Sequence, residues 1–350
     1  MPPAFGARAW PILFAILFFG VIILIHELGH FTVAKLSGIK VNEFAIGMGP
    51  KLLSFGKGET KYSLRLIPMG GYVQMEGEDE ASEDERAFNQ KPVWKRFLVV
   101  IAGAVMNIIL GLVLVAILLT QQNLIGTTQI AGFHENASSQ SSGLQEGDVI
   151  THINGTSVWS DRDISFLMAR DRDGVIDFTV KRDGQKTELK NVKFDTREVD
   201  GQTVITFDFI IIGENKTFWN VLKTSFLETA SMARLVWLSL FDLVTGRFGL
   251  SDLAGPVGTV SVIAEATTSG GFLNALSLMA FITINIGVFN LLPIPGLDGG
   301  RLFFLIIEGI RRKPINPKRE GMIHAIGLVL MFALIAVVTF NDILRLIRGG

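Results

Sequence analysis

Apolar and polar residues alternate along this chain on two length scales. On the long scale, nearly unbroken apolar runs cover residues 10–36, 97–119, 273–292 and 323–340. Each is close to the roughly 20 residues a helix needs to cross hydrocarbon, so four spanning helices are expected. The third has a continuation broken by Pro293, Pro295 and Gly296. The first is too long for the apolar core of a signal peptide and leads to no convincing cleavage site, so it reads as a retained span. On the short scale, residues 41–75 alternate around Gly56-Lys57-Gly58, the pattern of a β-hairpin whose strands close at Pro68-Met69-Gly70-Gly71. The first part of 121–270 reads as short strands punctuated by Gly and by Asn154-Gly155.

Residues 217–245 differ from both patterns. Trp219, Leu222, Phe226, Ala230, Ala233, Trp237, Phe241 and Val244 form one stripe, interrupted by Lys223, Glu228, Arg234 and Asp242. An amphipathic helix at the membrane interface fits this better than a fifth span. The chain thus divides into a membrane half at 1–120, an insert at 121–215, a linker of interfacial helices at 216–272 and a second membrane half at 273–350. Charge orients the spans: the 35–96 connection carries ten Lys or Arg and 311–319 carries five, against one before the first span and two after the last. Both connections are then cytoplasmic, and the insert and both termini lie outside. The acidic run 76–85 has seven carboxylates and no aromatics, and reads as a solvated turn.

Composition narrows the class. Hydrophobic residues make up 49% of the chain, more than a soluble core requires, and the net charge of −1 with no basic stripe gives no reason to expect nucleic acid. Cysteine is absent. A disulfide and a thiolate metal ligand are therefore excluded, and any zinc must use histidine and carboxylate.

At the inner end of the first span stands His26-Glu27-Leu28-Gly29-His30. On a helix, positions i and i+4 share a face, so two imidazoles can meet one zinc with Glu27 beside them as general base. Ionisable groups inside hydrocarbon are a functional signal by default. A third ligand is needed, and Asp298, in the broken continuation of span three, reaches a similar depth if span three runs in the same direction as span one. His134 and His152 in the insert and His324 at the start of span four read as ordinary surface or capping histidines. Two other readings of the chain stay open: a scaffold with a structural metal, and a membrane metalloprotease that trims soluble or peripheral proteins.

Together with Asn290-x-x-Pro293-x-x-x-Leu297-Asp298-Gly299 and the order of spans around an insert, these residues give the chain a family likeness. It resembles the site-2 protease family of intramembrane zinc metalloproteases, in particular the bacterial group like the regulator of sigma-E protease, in a form with a single PDZ domain. The PDZ likeness lies in Ser142-Gly143-Leu144-Gln145-Glu146-Gly147-Asp148, Ile153-Asn154-Gly155 and Val180-Lys181-Arg182-Asp183-Gly184. The resemblance implies a polytopic α-helical membrane protein with four transmembrane helices, a cytoplasmic-side re-entrant β-hairpin and an extracytoplasmic PDZ-like α+β domain, in the bacterial inner membrane. It further implies that His26, His30 and Asp298 bind Zn2+, that Glu27 activates water, and that the substrates are single-span proteins such as anti-sigma factors or signal-peptide remnants, with an upstream site-1 protease acting on the same substrates. Gly47, Gly49, Gly70 and Gly71 of the hairpin, with Asn107 and Asn290, are its candidate substrate contacts. Ala104 stands where the family often has proline, a local departure two turns into the second span.

Overall fold

The computed structural model describes residues 5–78, 80, 82–199, 202–246, 255, 258–260, 262–264 and 271–348. They fall into two compact units, Met1–Leu114 with Leu238–Gly350, and Val115–Trp237. Most of the expected linker beyond 246, and residues 79 and 81 of the acidic run, lie outside the described residues.

The first unit is built from long apolar helices. These are α1 (Phe5–Leu36) and α2 (Val93–Gln121), and, after the α+β insert, two more that are named below. Four helices are long and apolar enough to cross a membrane, at Leu13–Leu36, Val93–Gln121, Gly271–Asn290 and Lys318–Leu344, as the apolar runs require. Small residues set their spacing. A Cβ on Gly29 would stand 2.5 Å from Ala102 O, which only glycine permits, and one on Gly287 would stand 3.0 Å from Ala104 O, a tight approach. Ala15, Phe18, Ile22 and Ile263 form a core with Leu110 and Ile282 packed against it. A second core gathers Ala34, Val41, Phe44, Val99, Val100 and Leu302.

Strands β1 (Val41–Phe55) and β2 (Lys61–Met75) follow α1. The expectation of a simple hairpin ending at Gly70-Gly71 is corrected here. Phe44 faces both Val73 and Tyr62, and Leu64 faces both Ile46 and Leu53, so each strand bends into two segments that make a four-segment sheet. The pairing is antiparallel, except that over Glu43–Ile46 and Lys61–Leu64 the partner numbers rise together. Glycine makes the bend: Gly47 has φ 84° and a Cβ there would lie 2.6 Å from Ile67 O. The sheet rests on α1 through Phe31, whose ring centroid is 5.2 Å from that of Phe44. Its outer segments expose Met48, Leu52, Leu53, Phe55, Leu66 and Ile67.

Inside the sheet, Glu43 pairs with Lys51 at 3.2 Å and Arg65 at 3.1 Å, and Arg65 also donates to Gly49 O at 2.7 Å and to the Tyr72 hydroxyl. Burial raises the Glu43 pKa, but the hydrogen bonds from Ser63, Lys51 and Arg65 outweigh it and hold the carboxyl at about 2. One carboxylate thus ties segments that are distant along the strands.

The second unit contains an antiparallel sheet with order β10-β3-β4-β6-β7, formed by β3 (Ile125–Phe133), β4 (Val149–Ile153), β6 (Val175–Arg182), β7 (Gln185–Lys193) and β10 (Phe209–Glu214). Strand β5 (Thr156–Ser157) adds to β4, and β8 (Thr196–Val199) pairs with β9 (Gln202–Ile205). The turn read from the sequence at Asn154-Gly155 is present, and there and at Asp183-Gly184 all four residues have positive φ, the conformation of the tight turn that matches strand twist. Helices α3 (Ser138–Ser141) and α4 (Asp161–Ala169) complete it.

Helix α5 (Phe218–Val244) occupies the segment read as amphipathic, but of its polar interruptions Glu228, Arg234 and Asp242 turn inward while Lys223 stays exposed. Glu228 is buried and receives Arg162 of α4 at 2.8 Å, and Ser231 and Arg234 both reach Asp163. The Arg234 guanidinium also lies 4.0 Å from the Trp159 ring centroid. Phe218, Trp219, Phe226, Trp237 and Phe241 point outward and remain exposed.

Candidate metal centre and active site

The remaining elements carry the site. Helix α6 (Gly271–Asn290) ends in the loop 291–297, α7 (Asp298–Arg311) starts at the carboxylate, and α8 (Pro317–Arg348) closes the chain. His26 and His30 are one turn apart near the end of α1, with Nε2 atoms 3.2 Å from each other. Asp298 Oδ2 lies 3.2 Å from His26 Nε2 and 3.3 Å from His30 Nε2. Among the described residues these three are the one group with metal-binding donor geometry.

The donor set fits zinc. Ligands about 2.0–2.1 Å from a tetrahedral zinc stand about 3.3 Å apart, close to the three separations above. The tautomers agree. His30 Nδ1 lies 2.8 Å from Val99 O, which only accepts, so Nδ1 carries the hydrogen and Nε2 turns its lone pair toward Asp298. Asp298 Oδ2 is itself buried and takes no hydrogen bond. Lone pairs facing one another across 3 Å are repulsive unless a cation lies between them.

His26 has its own support. Its Nδ1 is 3.3 Å from the Asn107 amide, which is fully buried, and Asn107 Oδ1 is otherwise without a partner. With Nε2 used as a ligand, Nδ1 bears the hydrogen, and the amide oxygen of Asn107 is positioned to accept it once the amide turns over. Asn107, a candidate for a contact with substrate or hairpin backbone or for an interhelical hydrogen bond, makes an interhelical contact here, to His26. Gly103, one turn before it on α2, faces both imidazoles, and any Cβ there would collide with His30 Nε2.

Glu27, His30 and Asp298 line a cavity of about 610 Å3 with Tyr72–Met75 of β2, Arg301 and His324. Gly71 abuts Glu27: a Cβ on it would lie 3.1 Å from Glu27 Cγ. Gly47, Gly49 and Gly70 do not line this cavity and serve the bends of the sheet, while Asn290 is half-buried at the end of α6. The sequence reading missed Tyr72–Met75, Gly103 and His324. Gly103 was within reach, since it is spaced i, i+4 with Asn107 on a span.

Residues 14–334 match the pattern of peptidase family M50. The chain belongs to peptidase family M50. This M50 member, a site-2 protease homologue, is a zinc metalloendopeptidase and a multi-pass membrane protein. It is 40% identical over 333 residues, 95% of this chain and 97% of the relative, to a Clostridium acetobutylicum protein with a zinc metalloprotease name. It is 32% identical over 413 positions, covering 95% of this chain and 97% of the relative, to the regulator of sigma-W protease RasP of Bacillus subtilis. For the zinc metalloprotease RasP of Bacillus licheniformis the identity is 33% over 421 positions, covering 95% and 98%. The two Bacillus alignments are longer than this M50 chain, so those relatives carry residues that it lacks.

Proposed function

We propose that this protease cuts single-span membrane proteins, anti-sigma factors or signal-peptide remnants among them, inside the bilayer of the bacterial cell membrane. The observation that carries the reading is the triad of His26, His30 and Asp298 at zinc-ligand spacing, with two of its members on a helix of membrane-spanning length. These three residues are the ligands and Glu27 is the general base. Zinc held there would polarise a peptide carbonyl and make a water acidic enough to lose a proton near neutral pH. Glu27 takes that proton and returns it to the leaving amine. Asn107 and Val99 O fix the two imidazoles in the ligand tautomer.

A helical substrate hides its carbonyls in its own hydrogen bonds, so it must unwind before the cut. The 72–75 segment of β2, at the cavity wall, is placed to pair with the unwound stretch as an added strand, with Asn290 and the glycine bends Gly47, Gly49, Gly70 and Gly71 shaping its approach. The apolar exposed face of the β1–β2 sheet fits re-entry into the membrane from the cytoplasmic side. Loop charge supports cytoplasmic placement of 35–96 and extracytoplasmic termini. The α+β unit, read as a single PDZ-like domain, filters substrates by the size of their outer domains, after an upstream site-1 protease has trimmed them.

The test is Glu27→Gln. Cleavage of a single-span substrate should fall by about 10^2- to 10^4-fold while zinc stays near one per chain, because the base is not a ligand. Mass spectrometry of proteins trapped by this variant in native membranes reports substrate identity and cut position. Normal turnover by the variant would overturn the reading, and cuts outside the bilayer would favour peripheral substrates.

A further inference from the structure

We infer that His324 of α8 is a positioning residue for Asp298, acting through a hydrogen bond to the loop that delivers the carboxylate to the two histidines. The inference rests on Asp298 being the third zinc ligand. The loop 291–297 contains Pro293 and Pro295, which have no N–H, so few backbone donors are available to hold it. Ile294 N–H bonds to Leu292 O at 2.6 Å and Leu297 N–H to Ile294 O at 3.2 Å, both within the loop. Gly296 N–H turns outward instead and donates to His324 Nδ1 at 2.9 Å. Asp298 follows two residues later.

Helix α8 meets this loop without slack. A Cβ on Gly327 would collide with Pro295 O, one on Gly296 would lie 3.2 Å from Leu328 N, and one on Gly300 would lie 3.1 Å from His324 Cε1. The imidazole is fixed from the side by Phe304, with ring centroids 5.6 Å apart. The hydrogen bond also fixes the ring chemistry. A donor at Gly296 requires a lone pair on Nδ1, so the neutral ring carries its hydrogen on Nε2, 4.0 Å from Glu320 Oε1. An apolar side chain of similar size would keep the packing but leave the half-buried Gly296 N–H without its acceptor. A zinc ligand tolerates a displacement of only about 0.5 Å, so the cost should appear at the metal.

The experiment compares His324→Asn, whose Oδ1 sits at the same bond position as Nδ1, with His324→Gln, which mimics Nε2, and with His324→Leu. Each full-length variant is loaded with zinc, and zinc release into a chelator is timed beside kcat and KM on a single-span substrate. His324→Gln and His324→Leu should release zinc roughly tenfold faster and lose roughly tenfold in kcat, the scale of one hydrogen bond left unmade. KM should stay within about twofold, and His324→Asn should keep both properties within about threefold of wild type. Equal impairment of the Asn and Gln variants, wild-type behaviour of the Leu variant, or a change confined to KM would overturn the inference. If His324→Leu does not accumulate, the Asn and Gln pair decides the matter alone. Asp298→Ala separates the two levels. Zinc retained in it would overturn the ligand assignment and this inference together, whereas zinc lost in it with normal release from all His324 variants would overturn the His324 role only.

Discussion

Asp298 in the membrane unit and Asp163 in the α+β unit are both mostly buried carboxylates in the first turn of a helix, where the helix dipole favours negative charge. Their surroundings differ in kind. Asp163 accepts Trp159 N–H at 2.6 Å and Ser160 N–H at 3.2 Å, and also meets Ser231 and Arg234. Asp148 in the same unit is similar, with Arg182 Nε at 2.8 Å and Gln145 N–H at 2.9 Å. Asp298 Oδ2 instead faces two imidazole nitrogens and takes no hydrogen bond. A buried carboxylate saturated by donors holds a fold together, while one surrounded by other metal-seeking donors is built for a cation.

The sharpest way to break this contrast is to remove each carboxylate and read both zinc and folding. Asp298→Ala should reduce bound zinc from about one per chain to near none and abolish cleavage, with the α+β unit still folded. Metal analysis checks it, and His134→Ala and His152→Ala should leave zinc unchanged. Asp163→Ala should do the reverse. Stranding Arg234 and two N–H groups should cost the α+β unit about 3–5 kcal/mol, seen as earlier unfolding or easier proteolysis of that unit, while zinc stays bound.

A smaller effect tests the support behind the proposed ligands. Asn107→Ala removes the partner of His26 and should weaken zinc binding about 10- to 100-fold, measured by chelator competition. The Glu43 carboxylate separates location from chemistry, because it lies in the membrane unit and yet is saturated by donors. Its folded pKa of about 2 lies below the ordinary 4.5, so the stability it contributes is full above 4.5 and is lost as pH falls from there toward 2. Unfolding of the metal-free protein across that window should be steeper in wild type than in Glu43→Gln, by roughly 1–2 kcal/mol. No difference between them would mean that donor saturation at this site adds nothing to the fold.

Much of the molecule was legible along the chain because its physics is local. Apolar runs of membrane length become helices in any context that denies the backbone water, so the four spans could be counted. Asn154-Gly155 gave its turn because positive φ is a property of the residues themselves. The stripe from Trp219 to Val244 gave a helix, but not the role of its charges. Whether Glu228 and Arg234 face water or another helix depends on Arg162 and Asp163, which are more than sixty residues away in the chain. The double bend of β1 and β2 escaped for a similar reason: Gly47 and Gly70 signal freedom to bend, and which segments pair afterwards is a long-range choice.

The sequence by itself determined the spans, the Asn154-Gly155 turn and the residue types of the candidate site. The spacing of His26 and His30 on one helix leaves two imidazoles little choice of direction, and the lack of cysteine leaves zinc no thiolate. Only the tertiary structure decided what completes and holds that site. Val99 O, Gly103 and Asn107 on α2, Asp298 at the head of α7 and His324 on α8 come from three helices, and each meets the candidate site or its loop by a contact that closes only when the helices pack. Local propensity carries no information about such contacts, since a hydrogen bond between residues far apart in sequence is fixed by where the helices cross.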